Sequence, residues 1–191
     1  MNLILASTSP FRKTILEKLG IPFLTESPDV DESALPGETP QDLVSRLSVL
    51  KAKAIAGKRE SGLVIGSDQV AVINGQVLGK PHTHENAVLQ LQNASGKSVM
   101  FYTGLCLYNA ATQNYQVEVV PFTVVFKDLS DTQIQNYLVK EQPYNCAGSF
   151  KSEALGIALF SKLVGDDPNT LMGLPLIRLI SMLENENFSV L

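Results

Sequence analysis

Apolar and polar positions along the chain switch between an unbroken run, a period of two and a helical period. Leu3-Ile4-Leu5-Ala6 is a short apolar run, the mark of a strand buried on both faces. It breaks into Ser7-Thr8-Ser9-Pro10-Phe11-Arg12. Ser9 suits a helix N-cap, and Pro10 suits the first helical position because its missing N–H would be unpaired there anyway. The spacing predicts a helix over Pro10–Leu19 stopped by Gly20, then a short strand over Pro22–Thr25. An acidic, proline-containing loop, Glu26–Glu38, precedes Thr39-Pro40, which caps a second helix reaching Ala56. Leu43, Leu47, Leu50 and Ala54 give that helix an apolar stripe, with Arg46 and Lys51 on opposite flanks.

Leu63–Gly66 is another buried-strand signal that continues into Val70–Ile73. The Asn74-Gly75 dipeptide that follows predicts a hairpin. Thr83 caps a helix to Ala94, and two long strands cover Ser98–Tyr108 and Tyr115–Phe126. Ser130 and Gln133 form a capping-box pattern for a helix to Lys140, and a last helix covers Leu174–Glu186. Strand and helix signals alternate, which predicts an α/β fold. The sheet is mixed and flanked by helices, because hairpins demand antiparallel neighbours while strand–helix–strand units favour parallel ones.

The 191 residues suit one domain, or a two-lobed domain with a cleft, and 45% apolar residues are enough for a core. A net charge of -4 argues against general nucleic-acid binding and leaves room for a small anionic substrate in a locally basic pocket. Cys106 and Cys146 are too few for a disulfide framework or a zinc site and read as buried free thiols of a reducing compartment. There is no basic leader with a cleavage site, and no apolar run approaches the ~20 residues of a membrane span. A cytoplasmic protein with no membrane partner is expected.

Candidate chemistry gathers at strand ends. The turn before the first helix presents free N–H groups and a partial positive charge, and Arg12 adds a planar fork of donors, so the segment suits a phosphate. An ordinary strand-to-helix turn with a surface arginine has the same sequence. Asp68, in Gly66-Ser67-Asp68-Gln69, reads either as a turn former or as a carboxylate that binds Mg²⁺ or orients water. Asp29-Val30-Asp31-Glu32 reads as a solvated loop or as metal ligands shared with substrate phosphates. Arg46, Lys51 and Lys80 are further cations for phosphate, although Arg46 and Lys51 equally suit a snorkelling role on their helix. His82 and His84 read as helix-start surface residues. Cys146-Ala147-Gly148-Ser149-Phe150-Lys151-Ser152-Glu153 has the composition of a connector, yet a fixed glutamate there can accept two parallel hydrogen bonds from the N1–H and N2–H₂ edge of guanine.

Together these segments resemble the Maf family of nucleoside triphosphate pyrophosphatases from Leu3 to about Leu183. The carrying motifs are Ala6–Arg12, Asp31-Glu32, Arg46-Leu47 with Lys51-Ala52, Gly66–Gln69, Gly79-Lys80-Pro81 and Gly173–Leu176. The Ser-Asp-Gln form and the Cys146–Glu153 segment resemble the YceF-like branch, which is associated with 7-methyl-GTP; other branches prefer dTTP and UTP. The resemblance implies an α/β mixed twisted sheet with a central cleft between two lobes, similar to the inosine triphosphate pyrophosphatases. It implies cleavage of a nucleotide substrate to monophosphate and pyrophosphate, a divalent cation (Mg²⁺, Mn²⁺ or Co²⁺), and a homodimer. Asp68 takes the general-base position, and Glu32 with Asp68 the metal positions. Ser7, Arg12, Lys51 and Lys80 take the phosphate contacts; Phe11, Gln69 and Glu153 take the positions that select the base. Phe11 stands where YceF-like proteins carry tryptophan and keeps an aromatic face of smaller area. A non-catalytic nucleotide sensor in division control would use the same pocket. Two carboxylates beside a phosphate site favour an enzyme, because without metal they weaken anion binding.

Overall fold

In the computed structural model, which describes residues 2–191, the first apolar run forms β1 (Leu3–Ala6), and all four of its side chains are buried. Leu3 and Leu5 join one core with Ile15, Leu16, Leu63, Ile65 and Leu179; Ile4 and Ala6 join another with Ala52, Ile55 and Val64. Successive strand side chains point to opposite faces, so an unbroken apolar strand needs a helical layer on each side. The first layer draws on α1 (Pro10–Glu17) and α5 (Leu176–Asn185), the second on α2 (Pro40–Ala56).

The other elements are β2 (Leu24–Glu26), β3 (Leu63–Ile73), β4 (Gln76–Leu78), α3 (His84–Ala94), β5 (Ser98–Asn109), β6 (Tyr115–Phe126), α4 (Asp131–Glu141) and β7 (Phe160–Val164). The strands form one sheet in the order β2-β1-β3-β5-β6-β7, with β4 paired to β3. β1 runs parallel to β2 and β3, while β4 and β7 pair antiparallel, so the sheet is mixed as expected. The described residues divide into two compact units: one of 2–69, 102–120 and 167–191, the other of 70–101 and 121–166. The second unit holds the Asn74-Gly75 hairpin, where φ values of 49° and 78° suit a tight two-residue turn. It also holds an edge-to-face cluster of Phe101, Phe126, Phe150 and Phe160.

Several boundaries differ from the sequence reading. α1 ends at Glu17, because the N–H groups of Lys18, Leu19 and Gly20 reach back only three residues ahead of Gly20, whose φ is 65°. β2 starts at Leu24, not Pro22, which lacks the N–H a ladder needs. β3 runs unbroken through Ser67-Asp68-Gln69, so Asp68 lies inside a strand; its parallel pairing with β1 ends at Gly66. α5 begins at Leu176 because Pro175, at its N-cap position, is extended and makes no side-chain cap. β7 had no clear sequence signal. Cys106 is buried, with its thiol pushed up to about 12 by desolvation, but Cys146 is only partly buried.

The stripe of α2 is the largest correction. Its buried face is Val44, Leu47, Ser48, Lys51, Ala52, Ile55 and Ala56, whereas Leu50 is exposed and Leu43 and Ala54 are half-buried. Lys51 therefore lies within the buried face and not on its flank. Choosing the stripe by apolarity alone missed it, because the ammonium has partners inside. Among the described residues no helix is long and apolar enough to cross a membrane.

Candidate active site

Two glycines bring α2 onto the sheet. A Cβ on Gly66 would lie 2.0 Å from the Ser48 carbonyl oxygen, and one on Gly104 would lie 2.1 Å from that of Val44. Only residues without a side chain allow a helix backbone so close to β3 and β5. This approach delivers Lys51 to β3. Its Nζ donates to Oδ1 of Asp68 at 2.7 Å and lies 3.0 Å from Oε1 of Glu32. Lys51 is 5% exposed and Asp68 9%, so this pair sits at the margin of the core, whereas Glu32 is open to solvent.

Glu32 belongs to the acidic loop 27–38, which is fastened to α2. Arg46 grips Glu38 with two parallel bonds, Nη2 to Oε2 being 2.7 Å, and Nη2 also donates to the Ser33 carbonyl at 3.0 Å. The guanidinium, with the Leu35 N–H, holds the Glu38 carboxyl at about 2. Asp31 accepts from the Ser33 side chain and N–H, which lowers its pKa. Arg46 thus holds the loop and does not stand free for phosphate.

The turn between β1 and α1 forms as its residues suggest. Ser9 accepts from the Arg12 N–H, and Ser7 Oγ accepts from the Ser9 N–H at 3.1 Å. Ser7 is buried and Phe11 is 42% exposed. Arg12 Nε donates to the Gly173 carbonyl at 2.9 Å, and Ser67 Oγ donates to the same oxygen at 2.9 Å. Among the described residues the Nη atoms of Arg12 have no hydrogen-bond partner. Burial pulls the Arg12 pKa down, opposed by Asp68 and Glu32, but a guanidinium stays protonated in proteins. Gly173 adopts φ 98°, a conformation that favours glycine. Buried Asp167 braces the segment around it: Oδ1 accepts from the Asn169 N–H, and Oδ2 accepts from the Ile177 N–H at the start of α5.

Gln69 continues β3 beyond Asp68. Its Nε2 donates to Thr103 Oγ1 and the Thr170 carbonyl, both at 2.8 Å, and more weakly to the Leu171 carbonyl.

Lys80 and Glu153 belong to the second unit. Lys80 is exposed, on the loop after β4. Glu153 is exposed and accepts from Ser152 Oγ at 3.4 Å. The connector before it is more ordered than its composition suggests. Residues 147–149 form a 3₁₀ turn, Ser149 Oγ donates to Gln90, and Phe150 enters the aromatic cluster. Lys151 Nζ donates to the carbonyl and carboxylate of Glu141, and its N–H donates to the Tyr137 hydroxyl. His84 lies within hydrogen-bond distance of Tyr144 and Gln135, while His82 is exposed.

The structure thus gathers Glu32, Lys51 and Asp68, with Arg12 close enough to feel both carboxylates. Among the described residues no three His, Cys, Asp or Glu side chains converge as metal ligands. Glu32 and Asp68 each bring a hard oxygen within 3.0 Å of one Lys51 nitrogen. These are hard donors of the kind that hold Mg²⁺ or Mn²⁺, and in this structure they converge on the Lys51 ammonium. The sequence reading singles out neither Thr103, Asp167 nor the Thr170 carbonyl, and it names Ser67 and Gly173 within motifs without giving them a contact. Main-chain acceptors carry no residue-type signal.

Comparison with known proteins shows the family of the chain. Residues 2–186 match the family model described as Maf-like protein. A protein of Colwellia psychrerythraea named 7-methyl-GTP pyrophosphatase is 58% identical, covering 100% of this chain and 95% of that one. Namesakes from Pseudoalteromonas translucida and Nitrosococcus oceani are 59% and 56% identical, over 99% and 100% of this chain and 94% and 96% of theirs. Among solved structures, the Ham1 protein of Staphylococcus aureus matches with a TM-score of 0.47 at 16% identity, covering 67% of this chain and 73% of its own.

Proposed function

The chain belongs to the Maf family, and on that premise we propose that it is a nucleoside triphosphate pyrophosphatase acting on 7-methyl-GTP. The observation that carries the chemistry is the Lys51 ammonium held between Asp68 and Glu32, beside the Arg12 guanidinium. Cations suited to phosphate oxygens thus adjoin a carboxylate suited to a water proton.

In the proposed reaction a water oxygen bonds to the α-phosphorus. The bond from that phosphorus to the bridging oxygen breaks, and pyrophosphate departs with its electron pair. The water proton passes to Asp68. Lys51 engages Oδ1 of that carboxylate, so Oδ2 is the oxygen that faces the water. Arg12, Lys51, Lys80 and the Ser7 hydroxyl bind triphosphate oxygens and hold the chain in line with the attack. A divalent cation on Glu32 and Asp68 would offset the charge on those oxygens. Pyrophosphate is a good leaving group, so no protein nucleophile is required. Phe11 offers an aromatic face to the cationic 7-methylguanine ring, Glu153 takes its N1–H and N2–H₂ edge, and Gln69 contacts the base.

The test is pyrophosphate release from 7-methyl-GTP with and without Mg²⁺, in wild type and Asp68→Asn. Metal-dependent turnover in wild type and a loss of ~10²–10⁴ in the variant are expected. Nucleotide binding without turnover would establish a sensor instead.

A further inference from the structure

The amide of Gln69 is surrounded on one side by acceptors alone. Its Nε2 faces Thr103 Oγ1, the Thr170 carbonyl and the Leu171 carbonyl, at 2.8, 2.8 and 3.3 Å. Thr103 Oγ1 donates its one proton to the Thr170 carbonyl at 3.1 Å and, while it does so, accepts from Gln69. A flipped amide would aim Oε1 at two main-chain carbonyls, and the Thr103 hydroxyl could meet it only by giving up its bond to the Thr170 carbonyl. Thr103 is fully buried, so water does not compensate there.

We propose that Thr103 is a positioning residue for base selection, locking the Gln69 amide so that Gln69 offers the nucleotide only its Oε1 acceptor. This rests on the reading that Gln69 contacts the base. The base group read at that point is then an N–H donor: guanine and 7-methylguanine supply the N2 hydrogen that Glu153 leaves over, whereas the single N–H of uracil, on N3, lies between two carbonyl oxygens. A freed amide can turn its N–H₂ outward and accommodate the carbonyl oxygens of uracil, so loss of the lock favours UTP.

Thr170 supplies a control. It is fully buried, and its hydroxyl has no hydrogen-bond partner among the described residues; only its main chain holds Gln69. Thr170→Val makes the same chemical change as Thr103→Val but leaves the lock intact.

The experiment measures kcat/KM for 7-methyl-GTP and for UTP on wild type, Gln69→Ala, Thr103→Val, the double variant, Thr103→Ser and Thr170→Val, with thermal melts on each. Thr103→Val is expected to lower the 7-methyl-GTP to UTP ratio by about tenfold. The double variant should match Gln69→Ala, and Thr103→Ser and Thr170→Val should keep the wild-type ratio. Should Thr103→Val fold poorly, Thr103→Ala removes the same hydroxyl and is read the same way. If Gln69→Ala lowers the ratio while loss of the Thr103 hydroxyl leaves it unchanged, or if the two effects multiply in the double variant, the lock is refuted alone. An unchanged ratio in Gln69→Ala refutes the reading of Gln69 and the lock with it.

Discussion

Lys51 Nζ stands 2.7 Å from Asp68 Oδ1, and the lysine lies in the buried face of its helix, where an apolar residue would be expected. Replacing a buried ion pair by well-packed apolar groups is often neutral or stabilising, whereas removing one partner leaves a charge uncompensated. Lys51→Met is therefore expected to destabilise by ~1–3 kcal/mol, moderated by the solvent at Glu32 and the edge of Asp68. Lys51→Met combined with Asp68→Leu should recover most of that loss and remain inactive. Urea unfolding of the three proteins checks this; a double variant less stable than Lys51→Met would show that the pair is kept for stability.

Gly66 fixes the distance between helix and strand. A methyl group there would meet the Ser48 carbonyl oxygen at 2.0 Å, a main-chain atom that cannot rotate away. Gly66→Ala should cost ~1–3 kcal/mol or more and displace Lys51 from Asp68. Activity measured well below the melting temperature should fall together with Tm. Unchanged specific activity in a folded Gly66→Ala protein would show that Lys51 need not be held there.

Acid should loosen the loop that carries Glu32. Arg46, with the Leu35 N–H, lowers the Glu38 carboxyl from 4.5 to about 2. A depressed folded-state value means this stabilisation is complete above pH 4.5 and is lost as pH falls toward 2. The stability gap between wild type and Glu38→Gln should be flat above that window and close within it. A gap that persists to the acid end would rule out ionised Glu38 as its source.

Phe11 and Glu153 carry separate parts of the proposed base choice. Phe11→Ala should shrink the preference for 7-methyl-GTP over GTP by ~0.5–2 kcal/mol, because only the methylated ring is cationic. Its exposure of 42% means that stability should barely change. Glu153→Gln should weaken both guanine nucleotides, since the amide brings a donor beside the base. Steady-state kcat/KM for the two nucleotides distinguishes these effects.

Local chemistry was legible in the sequence. Thr39-Pro40 and the Ser130/Gln133 capping box announced α2 and α4, and Asn74-Gly75 announced the hairpin, because caps and tight turns are decided by adjacent residues. Lys51 misled because its burial depends on a partner 17 residues away on another element. Polar neighbours interrupt the apolar run at Asp68 and give it the look of a strand end, yet the strand continues through them. β7 and the contacts of the Gly173 motif depend on distant pairing: β7 adds to β6, and the Gly173 carbonyl accepts from Arg12 and Ser67. The order of motifs, not any single one, grouped the site residues.

The most direct measurement is a hydrolysis screen of 7-methyl-GTP, GTP, dTTP and UTP with Mg²⁺, quantifying monophosphate, pyrophosphate and orthophosphate. The expected result is one monophosphate and one pyrophosphate per turnover, with the highest kcat/KM for 7-methyl-GTP. Preference for dTTP or UTP would contradict the proposed substrate, and release of orthophosphate in place of pyrophosphate would contradict the proposed chemistry.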